Sequence, residues 1–168
     1  MTKRLRLLPL LLLLLAASPL TITKTSSVVS DPTGQLFPKA IPGAVVDYTI
    51  TVANPVANSL STIKTVEIKD AIPARTTLRV ADLGVANSGP VAFSESLIPS
   101  SGLTYSFQGM SSTIDSLSFS SDGGTTWTYT PTADANGYDS NVTNIRVRLS
   151  GNQTAGSNFS LRFRVKVK

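Results

Sequence analysis

The hydrophobic positions of this chain recur with a period of two. In Val46-Asp47-Tyr48-Thr49-Ile50-Thr51-Val52 the even positions are apolar and the odd ones polar, apart from the small threonine body. This is the alternation of a strand with one face buried. Thr65-Val66-Glu67-Ile68-Lys69 repeats it, and Leu117-Ser118-Phe119 and Trp127-Thr128-Tyr129 do so over shorter spans. The last segment is the most regular: Phe159, Leu161, Phe163, Val165 and Val167 alternate with Ser160, Arg162, Arg164, Lys166 and Lys168. That parity places Tyr48, Ile50, Val52, Val66, Ile68, Phe163 and Val165 on inner faces. No stretch carries a capped stripe of helical period. Turn signals such as Pro42-Gly43, Asn54-Pro55, Ile72-Pro73, Asp122-Gly123-Gly124 and Asn136-Gly137 punctuate the strands. Short strands separated in this way predict one all-β domain, an antiparallel sandwich with one face of each sheet buried.

Residues 1–17 stand apart. Lys3, Arg4 and Arg6 precede an apolar run from Leu7 to Ala17, broken only by Pro9 and ending in small residues. A basic start, a short apolar core and a small-residue end are the pattern of a cleaved secretory signal peptide. The run is shorter than the roughly 20 residues a membrane span needs. The expected organisation is a signal peptide over 1–17 and a sandwich domain over 18–168. The mature chain is expected to be secreted or held at the cell surface, without a transmembrane span.

Composition narrows the chemistry. The 168 residues include no cysteine and no histidine. A disulfide scaffold, a Cys- or His-ligated zinc site, thiol catalysis and a Ser-His-Asp triad are therefore excluded. The signal segment holds three of the cations, and without them the net charge falls from +5 to +2. The basicity is thus partly an address label and not a nucleic-acid footprint. Acidic residues are scattered, and no pair stands out for glycosidic hydrolysis. We expect no enzyme and no cofactor.

Ala40-Ile41-Pro42-Gly43 leads into Val46 to Asn54, and Val66-Glu67-Ile68-Lys69-Asp70-Ala71-Ile72-Pro73-Ala74 follows. Together these resemble the conserved-repeat surface domain family known as domain of unknown function eleven. Leu20 to Thr25 resembles that family's opening strand, and the stretch from Asn141 to Lys168 resembles the end of single-domain secreted members. The resemblance implies an immunoglobulin-like β-sandwich on a bacterial or archaeal surface. Many relatives hold it in tandem arrays, whereas this chain carries one copy. The family brings no catalytic residues.

Three segments carry candidate chemistry. Ser120-Ser121-Asp122-Gly123-Gly124-Thr125-Thr126-Trp127 fits the Ser-x-Asp-x-Gly-x-Thr-Trp box of sialidase propellers. It occurs once here, so the reading is an Asp-Gly hairpin with Trp127 packed beneath the turn. Asp134, Asn136 and Asp139 set oxygen side chains around Gly137, a spacing that suits calcium. The same residues also read as a solvated turn, with Asp139 paired to Arg146 or Arg148. Last, Arg162, Arg164, Lys166 and Lys168 share one strand face, and Arg146 and Arg148 alternate with apolar residues on what reads as a neighbouring strand. Such a basic face either guards a sheet edge or cradles an anionic glycan or lipopolysaccharide. Phe159 and Phe163 have inward parity and cannot stack bases from it, so nucleic acid is not an expected partner. A Lys–Asn crosslink through Lys24 or Lys69 is also open.

The expected function is a non-enzymatic structural or adhesion protein, with itself or other surface proteins as partners. The strand-like stretch Leu20 to Val29 precedes a polar hinge, Ser30-Asp31-Pro32-Thr33-Gly34. The strand can fold back at home or swap into the next subunit, building filaments. The alternative is a glycan- or polyanion-binding module that uses the basic strand face.

Overall fold

The computed structural model describes residues 17–168, so the signal segment expected over 1–17 lies, apart from Ala17, outside the described residues. In chain order the strands are β1 (Thr21–Ser30), β2 (Val45–Ala53), β3 (Ile63–Lys64), β4 (Glu67–Ala71), β5 (Thr76–Arg79), β6 (Val91–Glu95), β7 (Leu103–Thr104), β8 (Leu117–Ser120), β9 (Tyr138–Asp139), β10 (Asn144–Arg148), β11 (Ser150–Gln153) and β12 (Asn158–Val167). A short 3-10 helix at Val56–Leu60 follows β2.

The most regular segment of the sequence is also the organising strand. β12 pairs with β2 along one side, placing Phe159 opposite Val52, Leu161 opposite Ile50, Phe163 opposite Tyr48 and Val165 opposite Val46. Along its other side β12 pairs first with β6 and then with β5. β1 extends the sheet beyond β2, and β9 extends it beyond β5. The second sheet has three strands in the order β4-β10-β8, and a small set, β3-β11-β7, flanks it. The strand pairings among the described residues are antiparallel, and the molecule is an antiparallel β-sandwich. Its core joins the inner residues of both sheets: Ile50, Val52, Phe159, Leu161 and Phe163 meet Leu117, Phe119, Ile145 and Val147 in one buried cluster.

Local chemistry explains where strands begin. The Ala44 N–H donates to the Ile41 carbonyl at 2.9 Å, closing a four-residue turn with Pro42 and Gly43 at its centre. Gly43 has φ +86, which this turn demands at its third position and which a side chain would resist. At Gly151 the constraint is space, since a Cβ would sit 2.3 Å from the carbonyl oxygen of Gly102.

Inner parity holds for Ile50, Val52, Val66, Phe163 and Val165, all buried. Tyr48 and Ile68 face inward but are only half-buried. The reason is geometric: the three-stranded second sheet is narrower than the first, and near β1 the inner face meets only its edge strand β4, where Lys24 reaches Asp70 across an open groove. The strand expected over Thr65–Lys69 forms over Glu67–Ala71 instead. Thr65 adopts φ 52, a left-handed conformation that delays the entry into the ladder. No helix among the described residues is long and apolar enough to cross a membrane.

Candidate functional site

The basic residues of β10 and β12 do not share a face. β12 lies in the first sheet and β10 at the centre of the second. With both inner faces turned to one core, their cations point out on opposite sides of the sandwich. The expected six-cation face is therefore corrected: the two strands are neighbours in neither sheet.

The first outer face is largely neutralised. Asp47 lies opposite Arg164 in the β2–β12 register. Its carboxylate accepts from Arg162 Nη1 at 2.6 Å and from Arg164 Nε and Nη2 at 2.6 and 3.0 Å. Burial pushes the Asp47 carboxyl up, but the bonds and charges of Arg164 and Arg162 outweigh it and hold the group below the ordinary carboxylate range. Lys166 Nζ lies 4.9 Å above the Tyr138 ring, and Lys168 is exposed at the strand end. Arg162 and Arg164 thus serve the fold through one acid. Replacing Asp47 with Asn removes the charge that joins two half-buried guanidinium groups. The expected loss is about 1–3 kcal/mol, below the figure for a fully buried pair because water still reaches the arginines. Urea denaturation of the variant measures it.

On the second outer face, Lys69, Arg146 and Ser118 are aligned across β4, β10 and β8. Glu67 accepts from Arg148 and from Lys69, the latter at 3.0 Å. The charge and hydrogen bond of Arg148, then of Lys69, hold the Glu67 carboxyl below its ordinary range. Arg146 has no carboxylate partner among the described residues. Its Nη2 donates to Ser118 Oγ at 3.3 Å, and its Nε is buried without a partner. The Trp127 ring covers it, with the guanidinium carbon 4.8 Å from the ring centroid. Burial, then repulsion from Arg148, lowers the Arg146 pKa.

Trp127 is positioned by the box segment, which folds as a local turn. The Asp122 carboxylate accepts from Ser120 Oγ at 2.6 Å, from the Thr125 and Thr126 N–H groups, and from Thr126 Oγ1 at 2.7 Å. Gly124 lies beneath the indole, where a Cβ would meet Trp127 Cζ2 at 3.4 Å. These donors, led by the Ser120 hydroxyl, pull the Asp122 carboxyl down to about 2. A depressed acid stabilises the fold above its unfolded pKa and loses that contribution as pH falls through the folded one. Melting temperature should therefore fall between about pH 4 and pH 2, and Asp122→Asn should flatten part of that fall. Melts across this window check it.

The oxygen cluster around Gly137 is occupied by its own backbone. Asp134 Oδ1 accepts from the N–H groups of Asn136 and Tyr138 at 2.8 and 2.9 Å. Asp139 accepts from Tyr129 Oη and from the N–H groups of Thr132 and Asn141, each at 2.8 Å. This corrects the expected pairing of Asp139 with Arg146 or Arg148: Asp139 sits on β9 in the first sheet and is buried there. No group of three or more acidic residues that could hold a metal ion occurs among the described residues. Lys24 Nζ meets Asp70 Oδ2 at 2.6 Å, and Lys69 meets Glu67, so neither lysine is paired with an asparagine.

Two determinants escaped the sequence reading. Asp47 was visible as an acid on the polar face of its strand, but its pairing partner was not. Trp127 was visible as a turn residue, while its stacking on Arg146 depends on the β8–β10 pairing. Comparison with family models, with curated proteins and with solved structures returned no match for this chain.

Proposed function

We propose that this protein is a secreted or cell-surface structural protein, an immunoglobulin-like sandwich that assembles by exchanging β1 between copies. The observation that carries the reading is β1 itself. It pairs in register with β2 from Thr21 to Val28, yet nine of its ten residues are exposed. Its inward positions include Ile22, 59% exposed, and beyond β2 its side-chain ties are few: Lys24 pairs with Asp70 and lies 5.5 Å from the Phe163 ring centroid, and Val28 packs against the core. The link to β2, residues 31–44, returns to the place it left, since Ser30 lies opposite Val45. A hairpin needs about 2–5 loop residues for that task. Fully extended, this link spans on the order of 45 Å, enough to deliver β1 to another copy. Leu36 and Phe37 within it are exposed, and Asp31 folds it by accepting from the Thr33 and Lys39 N–H groups at 2.8 and 2.7 Å. A filament of this kind needs no covalent anchor. The resemblance to the surface family and the signal pattern agree with this reading.

The test uses the full chain without its leader. Thr25 and Thr49 face each other across β1 and β2. A Thr25→Cys protein mixed with a Thr49→Cys protein forms a disulfide heterodimer only if β1 of one copy lies on β2 of another, because the natural chain has no cysteine. A rising heterodimer yield with concentration is expected. Mixed proteins that stay monomeric, and a natural chain that stays monomeric in light scattering, would overturn the proposal.

A further inference from the structure

We infer that the groove beside Arg146 and Trp127 binds one residue of an acidic saccharide, a uronic acid or a sulfated sugar. The inference does not rest on exchange of β1. The groove has a volume of about 240 Å³ and lies beside the outer edge of β8, where Tyr129 bridges to Phe119; the loop at Met110–Thr113 and the stretch Trp127–Thr130 line it. That is below the range of about 300–1,000 Å³ that drug-sized ligands fill, so the space suits a single ring of a longer chain.

Its lining matches that ligand in three ways. Arg146 has no carboxylate in contact among the described residues and feels Glu67 only at a distance, whereas Lys69 and Arg148 share Glu67 and Arg162 and Arg164 share Asp47. It is also held in place, stacked on Trp127 and hydrogen-bonded to Ser118. A guanidinium fixed in this way offers its remaining N–H groups to a carboxylate or sulfate with little ordering cost. Second, Ser111, Thr113 and Thr128 line the groove, and each hydroxyl both donates and accepts, as sugar hydroxyls do. Third, Trp127 and Tyr129 supply ring surface for the C–H face of a sugar. The Tyr129 hydroxyl is already committed to Asp139, which fixes the ring. An acidic peptide side chain would use the guanidinium alone and leave the hydroxyls and rings unmatched.

Trp127 is the single tryptophan of the chain and reports on the site directly. The probes are a galacturonate trisaccharide and its neutral galactose counterpart. They are titrated by fluorescence and calorimetry at about 0.15 M salt, where the Debye length is about 8 Å and diffuse attraction is screened. The acidic sugar should bind at least about tenfold more tightly than the neutral one, the scale of one charge-assisted contact. Arg146→Gln should remove that preference with the amide spectrum unchanged, and Arg162→Gln should preserve it. If the glutamine variant unfolds, Arg146→Lys keeps the charge without the planar fork, and the preference should shrink. Equal affinity for both sugars would overturn the inference. So would a preference that persists in Arg146→Gln or an undiminished one in Arg146→Lys. Failure of uronate and sulfated oligosaccharides to bind at millimolar concentration would overturn it too, as would an acidic peptide that alone binds through Arg146. None of these outcomes bears on the disulfide test of β1.

Discussion

Phe163→Ala will lower the unfolding free energy by about 3–5 kcal/mol, the largest effect expected of a single substitution here. Phe163 is fully buried in the middle of β12, the strand against which β2, β5 and β6 all pair. Its ring stacks on Tyr48 with centroids 5.6 Å apart. Removing the ring therefore forfeits burial, opens a cavity between the sheets and leaves Tyr48 without its platform. The neighbours are fixed by strand pairing on both sides, so the site cannot collapse to fill the space. For a domain of this size the loss corresponds to a fall in melting temperature of roughly 10–15 °C. Thermal melts and urea titration measure it. A loss below about 1 kcal/mol would mean that β12 is not the strand that joins the sheets.

The contrast between legible and illegible features follows sequence distance. β2 and β12 were readable because each carries enough residues for a period of two to stand out. β3, β7 and β9 have two residues each and show no period at all. The Asp122 turn was readable because all its donors lie between Ser120 and Thr126. The fate of the basic face was not. Asp47 and Arg164 are 117 positions apart, and the period of a strand states which face a residue takes without stating which strand lies beside it. The sequence pattern made Arg146 and Arg162 look equivalent. Pairing separates them, giving Arg162 an acid and leaving Arg146 only a hydroxyl and an indole.

Asn54→Ala will cost about 2–4 kcal/mol, although the side chain carries no charge and touches no groove. Asn54 is 1% exposed at the end of β2. Its Nδ2 donates to the Gln153 carbonyl at 2.9 Å, and its Oδ1 accepts from Asn58 Nδ2 at 2.8 Å. Asn58, equally buried, also donates to the Ser18 carbonyl at 2.8 Å and accepts from the Ser18 N–H at 2.7 Å. Truncation at Asn54 thus strands a buried acceptor on β11 and a buried donor on Asn58, and each unpaired group costs about 1–3 kcal/mol. Because the two asparagines share a bond, Asn54→Ala and Asn58→Ala together should cost less than their sum, which a double-mutant cycle in urea resolves. Additive losses would show that the two act separately. The network also roots the chain just ahead of β1. Asn58→Ala releases Ser18, so under strand exchange the Thr25→Cys and Thr49→Cys heterodimer should form faster in that background. An unchanged rate would place the barrier to exchange elsewhere, in the Lys24–Asp70 pair or the β1–β2 ladder.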